Sequence, residues 1–302
     1  MFRKILESRI TLVILFIALA LLWGLSFVFI KKSLVYLEPI ELLSIRWAIA
    51  VAFFLLLRLM NLIRLDYKNK PIKKLVPLVL CQPIVYSFLE ALGVSYSTAS
   101  ESAVIIAALP FMVLLLGIIV LGRRPNAGAV TGMVIGFGGV ILTIVLGPMF
   151  SVEGNYKGYV FLLLAITVGA IYSLLASELA SIFSPIEITF AMALAAGVTY
   201  NAVNLFGGNF VHTYVTFINT PVLIWAGLFL GVGCACLGFL ICNYTLSRMD
   251  ASIATAIQCN AINIVGVVSG IVINDDPWGW YTILGVLLMT IGIVYVSVNK
   301  NK

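Results

Sequence analysis

The 302-residue chain is 62% hydrophobic and only 10% charged, with a mean hydropathy of +1.15 and a net charge of +6. Soluble domains run at about 45–50% apolar and 25% charged, so these values exclude a water-solvated enzyme or nucleic-acid module and place the chain in lipid. Connections are short, with no acidic tail or low-complexity stretch to house a further soluble domain.

A bilayer crossing takes about 20 apolar residues. Ten such runs follow one another at 11–30, 40–60, 75–94, 99–121, 127–147, 158–180, 186–206, 221–245, 251–273 and 278–298. The first follows Arg3, Lys4 and Arg9; its length and the lack of a small-residue cleavage pattern mark it as a retained helix rather than a signal. The second run opens with Pro39-Ile40-Glu41 and the seventh with Pro185-Ile186-Glu187. Ala99-Ser100 and Ala251-Ser252, and likewise Pro125 and Pro277, recur at one common offset. The chain therefore divides into two five-span units, 1–148 and 157–302. An odd-numbered unit copied in tandem inserts its second copy upside down, and inverted repeats are a signature of secondary transporters.

Orientation follows from Lys and Arg, which gather in cytoplasmic loops. With the amino terminus inside, the cytoplasmic face receives Arg3, Lys4, Arg9, Arg58, Arg64, Lys68, Lys70, Lys73, Lys74, Arg123, Arg124, Arg248, Lys300 and Lys302. The other face receives Lys31, Lys32 and Lys157, and Arg46 lies inside a span. Ten spans in the cytoplasmic membrane with both termini cytoplasmic fit this split. Topology and attraction to anionic lipid explain the positive charge without a nucleic acid.

Polar groups inside hydrocarbon are the residue-level clues, since such charges face a cavity or a partner. Arg46 sits about two turns into the second span, Glu90 one turn from the end of the third, and Glu101 in the first turn of the fourth. The three lie at similar depth and could form one vestibule in which Glu90 or Glu101 pairs with Arg46. Alternatively, Arg46 snorkels or pairs with Glu41, and Glu101 complements the helix dipole. A carboxylate is costly to keep charged in hydrocarbon, so Glu90 is a candidate to exchange a proton. In the ninth span Thr255, Cys259 and Asn263 recur every four residues and Asn260 shares their face. Asn260 and Asn263 are read as contacts to substrate or to a neighbouring helix, and Gln258 as a bond within the bundle. Asn201 and Asn204 are read as solvated. Trp23, Tyr86 and Tyr172 are either aromatic walls for a substrate or packing.

The five cysteines fall inside spans without zinc spacing, and His212, the only histidine, falls in a loop, so no metal, cofactor or catalytic residue is expected. Gly128, Gly132 and Gly136 form a small-residue strip on the fifth span, for close packing against the tenth or between two copies in a homodimer. Pro77, Pro83 and Pro110 permit kinks.

LLWGLSFVFIKKSL (21–34), Pro39 and IRWAIA (45–50) resemble the first two helices of an EamA domain of the drug/metabolite transporter superfamily. The segments 91–125 and 245–277 resemble the third-to-fifth helix region of that family in each repeat. They depart from it at Arg123, where an acid is usual, at Asn260 and Asn263, and at Gly169, where tryptophan is common; Asp275 keeps the acid in the second repeat. The resemblance implies an all-α integral membrane protein of ten transmembrane helices, two inverted five-helix repeats around a central cavity lined by helices one, three, four, six, eight and nine. It also implies a secondary transporter working by alternating access, with export as the expected direction. The substrate expected is a small metabolite, amino acid-like or amphiphilic, with proton coupling through Glu90. The alternatives are a carrier of phosphorylated or nucleotide-linked sugars, which would want several cavity Lys or Arg, and a non-transporting membrane sensor.

Overall fold

The computed structural model describes residues 9–120, 122, 125–146 and 156–299. Arg3, Lys4, Arg123, Arg124, Lys300 and Lys302, which enter the orientation argument, lie outside the described residues, as do the outer ends of both predicted units. All regular secondary structure among the described residues is helical. Its elements are α1 (Arg9–Ser33), α2 (Pro39–Leu59), α3 (Ile72–Ser95), α4 (Ala99–Ile119), α5 (Ala127–Leu146), α6 (Tyr156–Leu179), α7 (Pro185–Phe206), α8 (Phe210–Asn219), α9 (Pro221–Leu246), α10 (Ala251–Asn274) and α11 (Trp280–Asn299). Among the described residues nine helices are long and apolar enough to cross a membrane, and α11 carries a tenth, shorter apolar stretch at Trp280–Val296. The predicted all-α membrane architecture is therefore present.

The repeated Pro-Ile-Glu tripeptide is a helix-start device. Proline supplies a pre-set φ in the first turn, and the glutamate reaches back to the capping residue, Glu41 accepting the Glu38 N–H at 2.9 Å and Glu187 the Ser184 N–H at 2.8 Å. Each glutamate also anchors a segment from the other half of the chain. Glu187 accepts from Lys70 Nζ at 2.7 Å and from the Asp66 N–H at 3.1 Å, while Tyr67 donates to its carbonyl. Burial, with that carboxylate beside it, pushes the Tyr67 phenol up. Glu41 accepts from Thr213 Oγ1 at 3.1 Å, with His212 Nδ1 3.4 Å away.

Those last contacts belong to α8, an amphipathic helix where the sequence suggested a loop. Val211, Val215 and Ile218 point outward, while Thr213 is fully buried. Asn204 and Asn201, read from sequence as solvated, instead hold α8 in place. Asn204 Nδ2 donates to Thr213 Oγ1 at 3.1 Å, and Tyr214 Oη donates to Asn201 Oδ1 at 2.6 Å. Asn204 is buried, because an amide in an apolar environment needs a partner and α8 supplies one.

Helices of the two halves pack on each other: α2 on α7, α5 on α11, α1 on α10 and α4 on α6. The first pair runs antiparallel, with Ser44 beside Asn201 and Phe54 beside Phe190. The α5–α11 pair is also antiparallel and nearly backbone to backbone. A Cβ on Gly132 would stand 2.7 Å from the Gly292 carbonyl oxygen, and one on Gly292 would stand 2.6 Å from that of Gly132. Neither backbone can yield, so Gly132→Leu is expected to destabilise the protein by about 1–3 kcal/mol or more, read as a lowered melting temperature in detergent. An unchanged melting temperature would contradict the close packing.

One helix in each half of the chain is interrupted. In α3 the backbone leaves helical geometry at Gln82 (φ −132°, ψ 120°), before Pro83, and Tyr200 from α7 donates to the Ile84 carbonyl. In α9 residues Phe229–Gly238 wind as a wider π-type helix, and Trp23 Nε1 from α1 donates to the Cys234 carbonyl at 3.3 Å. Within a membrane, backbone groups loosened in this way must find side-chain partners.

Candidate functional site

A cavity lies mid-bundle, where both interrupted helices meet α1, α2, α4, α6 and α10. Its polar wall is Arg46, Gln82, Tyr86, Glu90, Ser173, Thr255 and Gln258, with Ser26, Cys242 and Cys259; its apolar wall includes Trp23, Phe27, Leu109, Tyr172, Phe239 and Ile262. About 60 Å³ of it admits a water-sized sphere, room for a few waters.

The charges sit together on one side. Arg46 and Glu90 are 5% and 7% exposed, with Arg46 Nη1 3.8 Å from Glu90 Oε2. Tyr86, one turn before Glu90 on α3, donates to Glu90 Oε1 at 3.2 Å. Arg46 also lies over the Trp47 ring at 5.6 Å, but its Nε is buried without a hydrogen-bond partner. The guanidinium, which carries five N–H donors, is thus paired by charge at the limit of contact and not saturated by hydrogen bonds.

The rest of the wall is better satisfied. Tyr172 Oη donates to Asn243 Oδ1 at 2.8 Å, and Asn243 Nδ2 in turn donates to Thr189 Oγ1 at 3.0 Å. Gln258 Nε2 donates to Thr245 Oγ1 at 2.6 Å, the expected bond within the bundle, and yet Gln258 also lines the cavity. Trp23 packs edge-on against Phe239, with ring centroids 5.1 Å apart. These bonds hold the aromatic walls in fixed orientations.

Five of the eight candidate site residues, Trp23, Arg46, Tyr86, Glu90 and Tyr172, therefore converge on one cavity, together with Thr255, Cys259 and Gln258 of α10. The other three candidates do not. Glu101 lies apart at the α3–α4 turn, in a capping box with Thr98, and accepts from Tyr159 Oη at 3.1 Å. Beside it Asp276 Oδ2 accepts from the Ser100 N–H and hydroxyl, and Lys31 Nζ donates to the carbonyls of Val94, Ser95 and Ser97. Asn263 is fully buried with neither amide atom bonded, and Asn260 Oδ1 is likewise unpartnered; neither lines the cavity.

The reason is angular. The cavity face of α10 is Thr255, Gln258, Cys259 and Ile262, an i, i+3, i+4, i+7 stripe, and Asn263 is turned about 100° from Ile262. Gln82, Ser173 and Cys242 were not singled out from the sequence. Of these only Gln82 carries a legible signal, a lone amide between two prolines of one apolar run. Among the described residues no three His, Cys, Asp or Glu side chains gather to hold a metal ion, and the five cysteines are free thiols.

Similarity to known proteins is consistent along the chain. The family model for "EamA-like transporter family" matches residues 10–145 and again 156–298. YcxC of Bacillus subtilis, described as an uncharacterized transporter, is 29% identical over 92% of this chain and 90% of its own length. An uncharacterized transporter of Archaeoglobus fulgidus is 30% identical over 92% of this chain and 95% of its own. A solved crystal structure shares the fold with a TM-score of 0.71, at 16% identity over 97% of this chain and 99% of that one. The chain thus belongs to the EamA-like transporter family and is a multi-pass membrane protein of the transporter type.

Proposed function

We propose that the chain is a secondary transporter that carries a small amphiphilic metabolite through the mid-bundle cavity by alternating access, between two inverted five-helix repeats. The cytoplasmic membrane, with both termini cytoplasmic and export as the direction of flux, completes the reading. The observation that carries it is the buried Arg46–Glu90 pair in a cavity flanked by two interrupted helices. Transporter sites are typically built at such interruptions, near the midplane, from residues of both halves. The antiparallel packing of α2 on α7 and of α5 on α11 supports the inverted arrangement, as does the matching of the α1–α10 contact by α4–α6. A cavity with room for a few waters fits an occluded conformation, whose walls must part to admit a metabolite.

A single cavity arginine suits a ligand with one anionic group and disfavours phosphorylated or nucleotide-linked sugars, which carry several charges. The test is uptake from an isotope-labelled bacterial metabolite extract into proteoliposomes, read by mass spectrometry. Small organic solutes should enter against empty-liposome controls, and entry should fall in Arg46→Gln. Absence of uptake for every solute would overturn the transport reading.

A further inference from the structure

We infer that the cavity's ligand is a monocarboxylate with an apolar body, seated by its carboxylate on Arg46, and that Glu90 takes up a proton as the ligand enters. This rests on the transport reading and adds to it the substrate class and the stoichiometry of coupling.

Three observations carry the assignment. Arg46 is a buried cation on the cavity wall that donates no hydrogen bond among the described residues, and its one counter-charge stands at 3.8 Å. Arg–carboxylate pairs normally close to about 2.7–2.9 Å through two parallel N–H···O bonds, so the guanidinium has bonding capacity a ligand carboxylate would use. By exposed area the remaining wall is mainly apolar and aromatic, with the amides of Gln82 and Gln258 and the hydroxyls of Ser26, Ser173 and Thr255 set into it; this suits a hydrocarbon body and gives a second charge on the ligand no charged partner other than Glu90.

Glu90 is surrounded so that one change of charge must be answered by another. Arg46 from α2 is its ion-pair partner and Tyr86 from its own helix already occupies Oε1; further off lie Tyr200 from α7 and, from α9, the thiols of Cys234 and of Cys242 on the cavity wall. Of the other helices on the cavity, α6 brings Tyr172 and α10 brings Cys259, both neutral. From α1 and α4 no titratable group enters the wall, and Lys31, at the end of α1, is committed to the carbonyls ending α3. Among the described residues no second cation is therefore at hand. When a carboxylate engages Arg46, Glu90 loses its only counter-charge, and a buried unpaired carboxylate is strongly disfavoured. A proton from the facing compartment resolves this. The ligand adds one negative charge and the proton one positive, leaving the net charge of the cavity unchanged. Acid and proton then cross together as neutral cargo, so a metabolic end-product acid can leave down its own gradient without moving charge.

The experiment uses three solutes sharing one branched alkyl body: 4-methylpentanoate (anion), 3-methylbutylamine (cation) and leucine (zwitterion). Binding to purified full-length protein is measured by calorimetry between pH 6 and 8, well above the ordinary carboxylate range, in buffers of differing ionisation enthalpy. The expected result is that 4-methylpentanoate binds best, takes up one proton per molecule, and binds about tenfold more tightly for each unit fall in pH. Glu90→Gln should bind it with no proton uptake and a flat pH profile, and Arg46→Gln should not bind it. Tighter binding of the amine or of leucine, binding by the wild type without proton uptake, or no binding of the acid to monodisperse wild-type protein would each overturn the inference. Metabolite flux in the proteoliposome assay together with any of these failures leaves transport standing and removes only the carboxylate assignment; binding as expected without flux does the reverse.

Discussion

Arg46→Gln is expected to be the most destabilising single change in the cavity, and Arg46→Gln with Glu90→Gln to restore most of what it loses. Removing one partner of a buried ion pair costs about 3–5 kcal/mol because the other charge is left uncompensated, whereas replacing both leaves no unpaired charge. Arg46 and Glu90 meet the conditions: both are nearly inaccessible, each is the other's only ion-pair partner among the described residues, and the hydroxyl of Tyr86 cannot neutralise a carboxylate. The loss should deepen as pH rises, since only a proton on the carboxyl relieves it. Thermal unfolding in detergent of the two single variants and the double variant, at pH 6 and 8, measures this. A double variant no more stable than Arg46→Gln would show that the pair is not coupled.

Gly169→Leu is expected to abolish transport while leaving the helical bundle assembled. A Cβ at this position would stand 3.0 Å from the Tyr86 ring and 3.2 Å from Leu109 Cδ1, tight contacts with side-chain ends rather than with backbone. Both neighbours line the cavity, so they can give way only by moving into it, and the larger side chain follows them. The stability cost of overpacking is about 1–3 kcal/mol, but the space available is only about 60 Å³, so little room would remain for a ligand. Proteoliposome flux should fall to the empty-liposome background with circular dichroism and elution volume unchanged. Flux near that of the wild type would place the route elsewhere.

Much of the fold is legible because a bilayer imposes simple rules. Apolar runs of about 20 residues mark the spans, and the Pro-Ile-Glu repeat marks equivalent helix starts. What that repeat does beyond capping is not legible, because the grip of Glu41 on α8 and of Glu187 on residues 66–70 is tertiary. The amphipathic α8 escaped for a related reason. It is too short to resemble a span, and only its alternation of Val211, Val215 and Ile218 with Thr213, Tyr214 and Phe217 distinguishes it from a polar loop.

At the site, charge in an apolar run proved the most informative signal, since Arg46 and Glu90 do share one cavity. Charge alone did not give distance: Glu101, at similar depth by sequence, belongs with Tyr159, Thr98 and the neighbouring Asp276–Ser100 contact. On α10 the four-residue recurrence found the helix face only to within one residue. Thr255 and Cys259 of that recurrence do face the cavity, whereas Asn263 and Asn260 fall beside it and Gln258 and Ile262 complete the lining stripe. Gln82 faces the cavity because the helix breaks there, and side-chain periodicity does not encode a break.

Alternating access is the claim on which the rest depends, and a single cavity thiol tests it. Ser173 is buried on the cavity wall and donates only to the Gly169 carbonyl of its own helix, so cysteine can replace it with little disturbance. In a variant with the five native cysteines replaced by alanine, Ser173→Cys should react with a membrane-impermeant thiol reagent both in right-side-out and in inside-out vesicles. Labelling from one side alone, under all conditions of pH and solute, would contradict it.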